Sequence, residues 1–217
     1  MRQMIEDIEL EVRYTAEMIG RHTLSDSVID AMRRVPRHVF VDPALLDQAY
    51  DNNPLPIGYG QTISQPYMVA VMTDLLEPQS HQKVLEVGCG SGYQAAVLSL
   101  LVKQVISLEI ISPLADSARR LLKEQGYHNV QVIQADGHFG WADQAPYDGI
   151  IVTAAPEEIP QPLIDQLAPG GHLIIPVGFH GIGQQLLDIY KAKDGSVSTK
   201  KRLPVRFVPL TGGDQAY

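Results

Sequence analysis

The residues best placed to do chemistry are Gly88-Cys89-Gly90-Ser91-Gly92-Tyr93. Three glycines at alternate positions let a chain turn sharply and bring its backbone close to a ligand. Ahead of them Val84-Leu85-Glu86-Val87 reads as a buried strand, and behind them Gln94 to Leu101 carries helix-compatible residues. Strand, glycine turn, helix is the geometry of a nucleotide-type site at the mouth of a parallel sheet, although a turn with no ligand uses the same residue types. Counted from Gly88, a G-x-G-x-x-G dinucleotide fingerprint puts its third glycine at 93, but here it arrives early, at Gly92, and Tyr93 stands in its place. NAD is therefore disfavoured. Glu109 ends the next apolar run, Val105-Ile106-Ser107-Leu108, about 20 residues on, where a carboxylate can accept hydrogen bonds from both hydroxyls of a ribose. A second candidate is the stretch Pro54 to Pro66, rich in proline, glycine and hydroxyl residues and ending where Pro66 opens a helix. By chemistry alone it can hold an anion or carboxylate, or simply connect two elements.

Glu86, Gly88, Gly90 and Gly92 match the pattern E-x-G-x-G-x-G, and with Glu109 they resemble the S-adenosylmethionine site of class I methyltransferases. The stretches Pro54-Leu55-Pro56-Ile57-Gly58 and Gly60-Gln61-Thr62-Ile63-Ser64-Gln65-Pro66-Tyr67-Met68-Val69-Ala70 resemble the signature of the protein-L-isoaspartate O-methyltransferase family, just upstream of the glycines. Further matches run in order along nearly the whole chain: Val35-Pro36-Arg37, Leu85 to Tyr93, Asp136-Gly137, Ile151 to Ala155, Leu173 to Gly178, and Arg206-Phe207-Val208-Pro209-Leu210. Tyr67 departs from the histidine that many members carry after the proline, which puts a histidine-specific role in question.

The resemblance implies S-adenosyl-L-methionine as cofactor, leaving S-adenosyl-L-homocysteine, with contacts from Glu86, Gly88, Gly90, Gly92, Tyr93, Glu109, Asp136 (to the adenine) and Gly137. It implies L-isoaspartyl residues of damaged proteins and peptides as substrate. Methylating their free α-carboxylate starts repair through a succinimide. Such a carboxylate is already ionised at pH 7, its pKa lying near 4, so alignment and exclusion of water suffice and no strong base is needed. Ser64 is then the catalytic residue, its hydroxyl holding the carboxylate in line, although an N-cap two residues before Pro66 is another use for a serine there. Thr62, Ile63 and Arg206 join Ser64 in substrate binding, Arg206 because its segment is implied to lie near the substrate channel. Grip on backbone and carboxylate predicts broad peptide tolerance. A class I enzyme acting on another carboxylate or hydroxyl, and a non-catalytic S-adenosylmethionine-binding module, use the same cofactor residues.

These residues need an α/β frame. Apolar runs at Val84–Val87, Val105–Leu108, Val130–Ile133, Gly149–Thr153 and Leu173–Val177 alternate with helical stretches near 94–101, 113–124 and 162–167. This predicts a doubly wound, Rossmann-like, mainly parallel sheet. Gln185 to Lys191 and Val197 to Leu210, separated by Asp194-Gly195, predict an antiparallel C-terminal hairpin on one edge. Residues 1–57 read as an N-terminal helical extension, 58–80 as substrate loop and helix, 81–180 as cofactor-binding core and 181–217 as hairpin and tail, all within one domain, 1–217. Met68, Val69, Met72, Leu75 and Leu76 form the expected apolar stripe of the helix from Pro66, and Arg33, Arg34, Arg37 and His38 read as a solvated charge cluster.

At 217 residues, 45% hydrophobic and 19% charged, the composition is that of an ordinary globule. A formal charge of −8 argues against phosphate-driven binding of nucleic acid. No apolar stretch nears membrane-spanning length and the start carries acids where a signal peptide needs an apolar core, so a cytoplasmic protein is expected. The single cysteine, Cys89, cannot form an internal disulfide and reads as a space-filler in the turn. No Cys/His cluster has metal-ligand spacing, and nothing demands more than a monomer.

Overall fold

A computed structural model describes residues 1–179 and 181–213. The chain runs α1 (Arg2–Ile19), α2 (Asp26–Arg34), β1 (Leu55–Gly58), β2 (Gln61–Ile63), α3 (Pro66–Leu75), β3 (Lys83–Val87), α4 (Tyr93–Ser99), β4 (Gln104–Glu109), α5 (Ser112–Glu124), β5 (Val130–Gln134), β6 (Tyr147–Val152), α6 (Gln161–Gln166), β7 (Leu167–Val177), β8 (Gln184–Lys191) and β9 (Val197–Val205), with short 3-10 turns at 37–40, 43–48, 137–139 and 142–144. One sheet has the order β5-β4-β3-β6-β7-β8-β9; its first five strands are parallel, and β8 pairs antiparallel with both β7 and β9. This is the doubly wound sheet with an antiparallel C-terminal hairpin that the alternating runs predict.

Side-chain alternation sorts the core onto two sheet faces. Val84, Val105, Val132, Ile151 and Ile174 pack on one face with residues of α1 to α5. Leu85, Val87, Ile106, Leu108, Ile150 and Val152 pack on the other with Tyr147, Leu163 and Leu167. Burial on both faces explains why the central strands read as continuous apolar runs. Each such Val, Leu or Ile contributes roughly 1.5–3 kcal/mol relative to exposure.

The N-terminal helices are tied to the far edge of the sheet. Arg202 on β9 donates to the Ile19 carbonyl at the end of α1 (2.9 Å) and to Asp188 Oδ2 on β8 (2.5 Å), whose Oδ1 lies 2.8 Å from His172 Nδ1 on β7. Burial opposes ionisation of Asp188, but the bonds from His172 and Arg202 outweigh it and hold the carboxyl below its ordinary range.

Four expectations need correction. The stretch before Pro66, whose prolines and glycines suggest mostly irregular backbone, is instead paired: β1 and β2 form an antiparallel hairpin in which Leu55 faces Ile63. Its tip, Tyr59-Gly60, has positive φ at both residues (53° and 71°), as a tight two-residue hairpin turn requires. Helix α3 buries all ten of its residues rather than one stripe, because it lies between α1, α2 and the sheet. Arg37 is not on a solvated face but 0% exposed, since the 3-10 turn at 37–40 rolls it inward. The last extended run stops at Val205: the segment that follows crosses to the end of β6, where Ala155 N donates to Val208 O (2.8 Å) and Leu210 N to Ala155 O (2.9 Å).

Candidate active site

Strand order reverses between β3 and β6, so their C-terminal ends open a crevice, the usual ligand position of such sheets. Gly88 lies at its centre with φ 96°. A Cβ there would lie 2.4 Å from Thr153 Oγ1, which itself donates to the Val87 and Gly88 carbonyls (3.1 and 2.5 Å). Only glycine fits both the angle and the space. Gly88 N and Cys89 N both donate to Leu108 O (2.9 Å each), folding the turn against β4. Glu109 closes this side: its Oε2 accepts from Gly90 N (2.7 Å) and its Oε1 from Ile111 N (2.9 Å). The Glu109 carboxylate is thereby aimed at the same groove that Gly88, Gly137, Ala154 and Leu210 line.

The groove continues past Gly88 into a lobe lined by Ser91, Gln94, Thr62 and Ser64. Thr62 and Ser64 also line a separate, wider cleft of about 760 Å³, walled by Glu11, Tyr67, Ile182, Arg206 and Phe207. Groove and cleft therefore meet at Thr62 and Ser64. Ser64 is half-buried, and its Oγ makes no hydrogen bond among the described residues. It is not the helix cap: Gln65 holds the N-cap position, and the α3 amide of Tyr67 donates instead to Asn52 Oδ1 (2.9 Å). A hydroxyl left unpaired between two cavities can donate to a ligand in either.

Asp136 and Gly137 lie on the same edge. Asp136 Oδ1 accepts from His138 N (2.9 Å) and Oδ2 from Gly213 N (2.6 Å). Burial resists its ionisation, but these bonds prevail and the carboxyl sits below its ordinary range. Oδ1 also lies 3.1 Å from His138 Nδ1, so Oδ2 is the oxygen that retains a lone pair for a ligand amino group.

Glu86 turns away from groove and cleft, whereas Tyr93 and Ile63 border the lobe beyond Gly88 with side chains that are almost wholly buried. Glu86 is fully buried in β3, where Ser107 Oγ donates to its Oε2 and its Oε1 has no partner among the described residues. The Tyr93 ring is 1% exposed and packs edge-on against Phe40, because α4 points its first residue into the N-terminal layer; only the start of the helix faces the groove. Ile63 is 3% exposed and its side chain joins the core opposite Leu55. Glu86 therefore supports the turn from behind, while Tyr93 and Ile63 form part of the wall of the lobe.

Burial raises the Glu86 pKa to about 8, only partly countered by the Ser107 bond. The folded value lies above the unfolded one, so the penalty of burying this group is absent below about 4.5 and grows until pH passes about 8. We therefore expect urea-unfolding free energy to fall by about 2 kcal/mol more in the parent than in Glu86→Gln between pH 6 and pH 8. Parallel pH profiles for the two chains would refute this. Cys89 is likewise buried and its thiol is pushed up, first by desolvation, so it is inert filler in the turn.

The match to a family model described as protein-L-isoaspartate(D-aspartate) O-methyltransferase extends over residues 15–215. The chain belongs to this family. It is accordingly an S-adenosylmethionine-dependent protein carboxyl O-methyltransferase. A protein-L-isoaspartate O-methyltransferase 2 of Syntrophobacter fumaroxidans is 56% identical over 211 residues, covering 97% of this chain and 85% of that one. The Polaromonas sp. protein of the same name is 54% identical over 209 residues, covering 96% and 99%. Among solved structures, a protein-L-isoaspartate O-methyltransferase superposes with a TM-score of 0.80 at 27% identity, covering 97% of this chain and 66% of that one. A Plasmodium falciparum chain described as a beta-aspartate methyltransferase, in complex with S-adenosyl-L-homocysteine, superposes with a TM-score of 0.76 at 24% identity, covering 94% and 97%.

Three residues around the methyltransferase site were not legible as such. Thr153 fixes Gly88; its signal is its place at the end of the strand beside the crevice. Glu11 on α1 reaches the cleft, where its Oε2 accepts from Asn52 Nδ2 (2.7 Å) and Gln65 Nε2 (3.0 Å), and desolvation raises its pKa. Arg37 donates to the Ser64 carbonyl (3.2 Å); its one signal in the sequence is its place in the match Val35-Pro36-Arg37. Tyr67 bonds Thr15 Oγ1 (2.6 Å) through its hydroxyl, towards α1.

Proposed function

We propose that this methyltransferase binds S-adenosyl-L-methionine in the groove of Gly88, Gly90, Gly92, Glu109, Asp136 and Gly137, and that it draws isoaspartyl segments of proteins and peptides into the cleft ending at Ser64. The observation that carries the reading is the meeting of groove and cleft at Thr62 and Ser64, with the Ser64 hydroxyl uncommitted. When bound, the cofactor supplies a methyl group on a sulfonium. Its fit rests on the carboxylate of Glu109 facing the groove and on Gly88, whose Cβ-free backbone allows close approach. Ser64 holds the substrate α-carboxylate in line, the hydrogen-bonded hairpin β1–β2 with α3 keeps Ser64 in place, and the walls of the cleft exclude water.

Thr62 and Arg206 line the cleft and complete substrate binding. Main-chain recognition supports broad sequence tolerance. The same proposal treats 1–217 as one functional unit, divided as 1–57, 58–80, 81–180 and 181–217, acting as a monomer without nucleic acid. The contiguous cluster running from α1 residues to the sheet supports the single unit, and the charge of −8 supports the absence of nucleic acid. Among the described residues no helix is long and apolar enough to cross a membrane. The same proposal places the protein in the cytoplasm.

The test is transfer of labelled methyl from S-adenosylmethionine to two peptides differing only in one linkage, L-isoaspartyl or L-aspartyl, scored as base-labile ester. Labelling confined to the isoaspartyl peptide is expected. Cofactor binding without labelling of either peptide would sink the proposal in favour of a binding module or another acceptor.

A further inference from the structure

We propose that Arg37 is a positioning residue that locks the Ser64 segment to the turn that holds the cofactor; the proposal rests on the role given to Ser64 above. Arg37 is 0% exposed, and no carboxylate among the described residues lies within ion-pair distance of it. A buried cation without a carboxylate is costly unless its donors are used. Here Nη1 donates to Ala49 O (2.6 Å), and Nη2 to Asn53 O (3.0 Å) and Ser64 O (3.2 Å), while Nε is buried with no partner among the described residues. These carbonyls belong to stretches outside helix and strand ladders, so their backbone groups lack the usual partners. A planar guanidinium can serve all of them at fixed angles, and a lysine ammonium, a point donor on a flexible stem, cannot.

The same guanidinium has a second neighbour. Its Cζ lies 5.9 Å from the ring centroid of Tyr93, within cation–π range. Tyr93 is the first residue of α4 and directly follows Gly92, the last glycine of the cofactor turn. One rigid cation therefore touches the main chain of the residue proposed to hold the nucleophile and the side chain that anchors the turn holding the methyl donor. An in-line transfer depends on the distance between those two parts. A misplacement of about 1 Å can cost on the order of a hundredfold in rate. Arg37 acts through Ser64 and Tyr93 and touches neither groove nor cleft.

The experiment compares Arg37→Lys, Arg37→Ala and Ser64→Ala with the parent for kcat, KM for an isoaspartyl peptide, S-adenosylmethionine affinity and thermal midpoint. For both Arg37 variants kcat is expected to fall at least about tenfold while cofactor affinity changes less than about threefold. Methylguanidinium at millimolar concentration should restore kcat of Arg37→Ala several-fold, and sodium chloride at equal ionic strength should not. Folded Arg37 variants with parental kcat would overturn the proposal. So would a loss of kcat that methylguanidinium leaves unchanged, or failure of both variants to fold, because Arg37 would then hold the fold rather than the loop. Parental kcat in Ser64→Ala would instead remove the reading of Ser64 on which the proposal stands. A fall in Ser64→Ala with none in the Arg37 variants defeats the Arg37 proposal alone.

Discussion

Replacing Ser64 by alanine should lower kcat on isoaspartyl peptides by up to roughly 150-fold and leave S-adenosylmethionine affinity within about twofold of the parent. A hydrogen bond from a hydroxyl to a carboxylate is worth about 1.5–3 kcal/mol, and 1.4 kcal/mol is tenfold in rate. The whole effect should appear in turnover because the hydroxyl makes no bond among the described residues, so its removal orphans none of their polar groups and leaves α3 capped by Asn52. Thermal stability should stay near the parent's for the same reason. Steady-state kinetics with a cofactor titration decides it: parental kcat, or a loss matched by lost cofactor binding, would take Ser64 out of the proposed role.

Glu109→Ala should do the reverse, weakening cofactor binding on the order of a hundredfold or more while kcat at saturating cofactor stays within several-fold. Two hydrogen bonds from ribose hydroxyls to an ionised carboxylate, at about 1.5–3 kcal/mol each, set that magnitude. The variant also leaves the Gly90 and Ile111 amides without the acceptors they now use at 2.7 and 2.9 Å, so the turn itself loosens. Glu109→Gln separates the two contributions, because an amide oxygen keeps one acceptor but carries no charge. Calorimetric titration of the three chains with S-adenosyl-L-homocysteine measures the difference. Equal affinity in parent and Glu109→Ala would dismiss the ribose role.

Much of the site was readable because it is carried by short segments whose local conformation their own residues dictate. The run from Val84 to Tyr93 is strand, positive-φ glycines and helix start in both sequence and structure, and Glu109 closes the adjacent strand where spacing puts it. Residue types did not disclose direction. Glu86 belongs to the same segment, yet strand alternation buries it away from the groove, and Tyr93 and Ile63 border the lobe with most of each side chain packed in the core while Thr62 and Ser64 also face the cleft. The hairpin β1–β2 was hidden by its prolines and glycines, which read as irregular until pairing of Leu55 with Ile63 supplies the hydrogen bonds.

The parallel sheet, the order of its elements, the glycine turn and the acidic partner could be read from residue types and spacing, since periodicity and backbone permissiveness act over a few residues. Which polar groups are buried, and what they serve, depends on packing between distant segments. Arg37 looked like one charge in a solvated run, and it becomes the donor to three distant carbonyls because residues 49, 53 and 64 converge on it. Glu11 drew no notice as a helical residue, and it reaches the cleft because α1 packs on α3 and is held at its end by Arg202 on the edge of the sheet. The meaning of a charge depends on the solvent and partners around it, and those come from segments far apart in the chain.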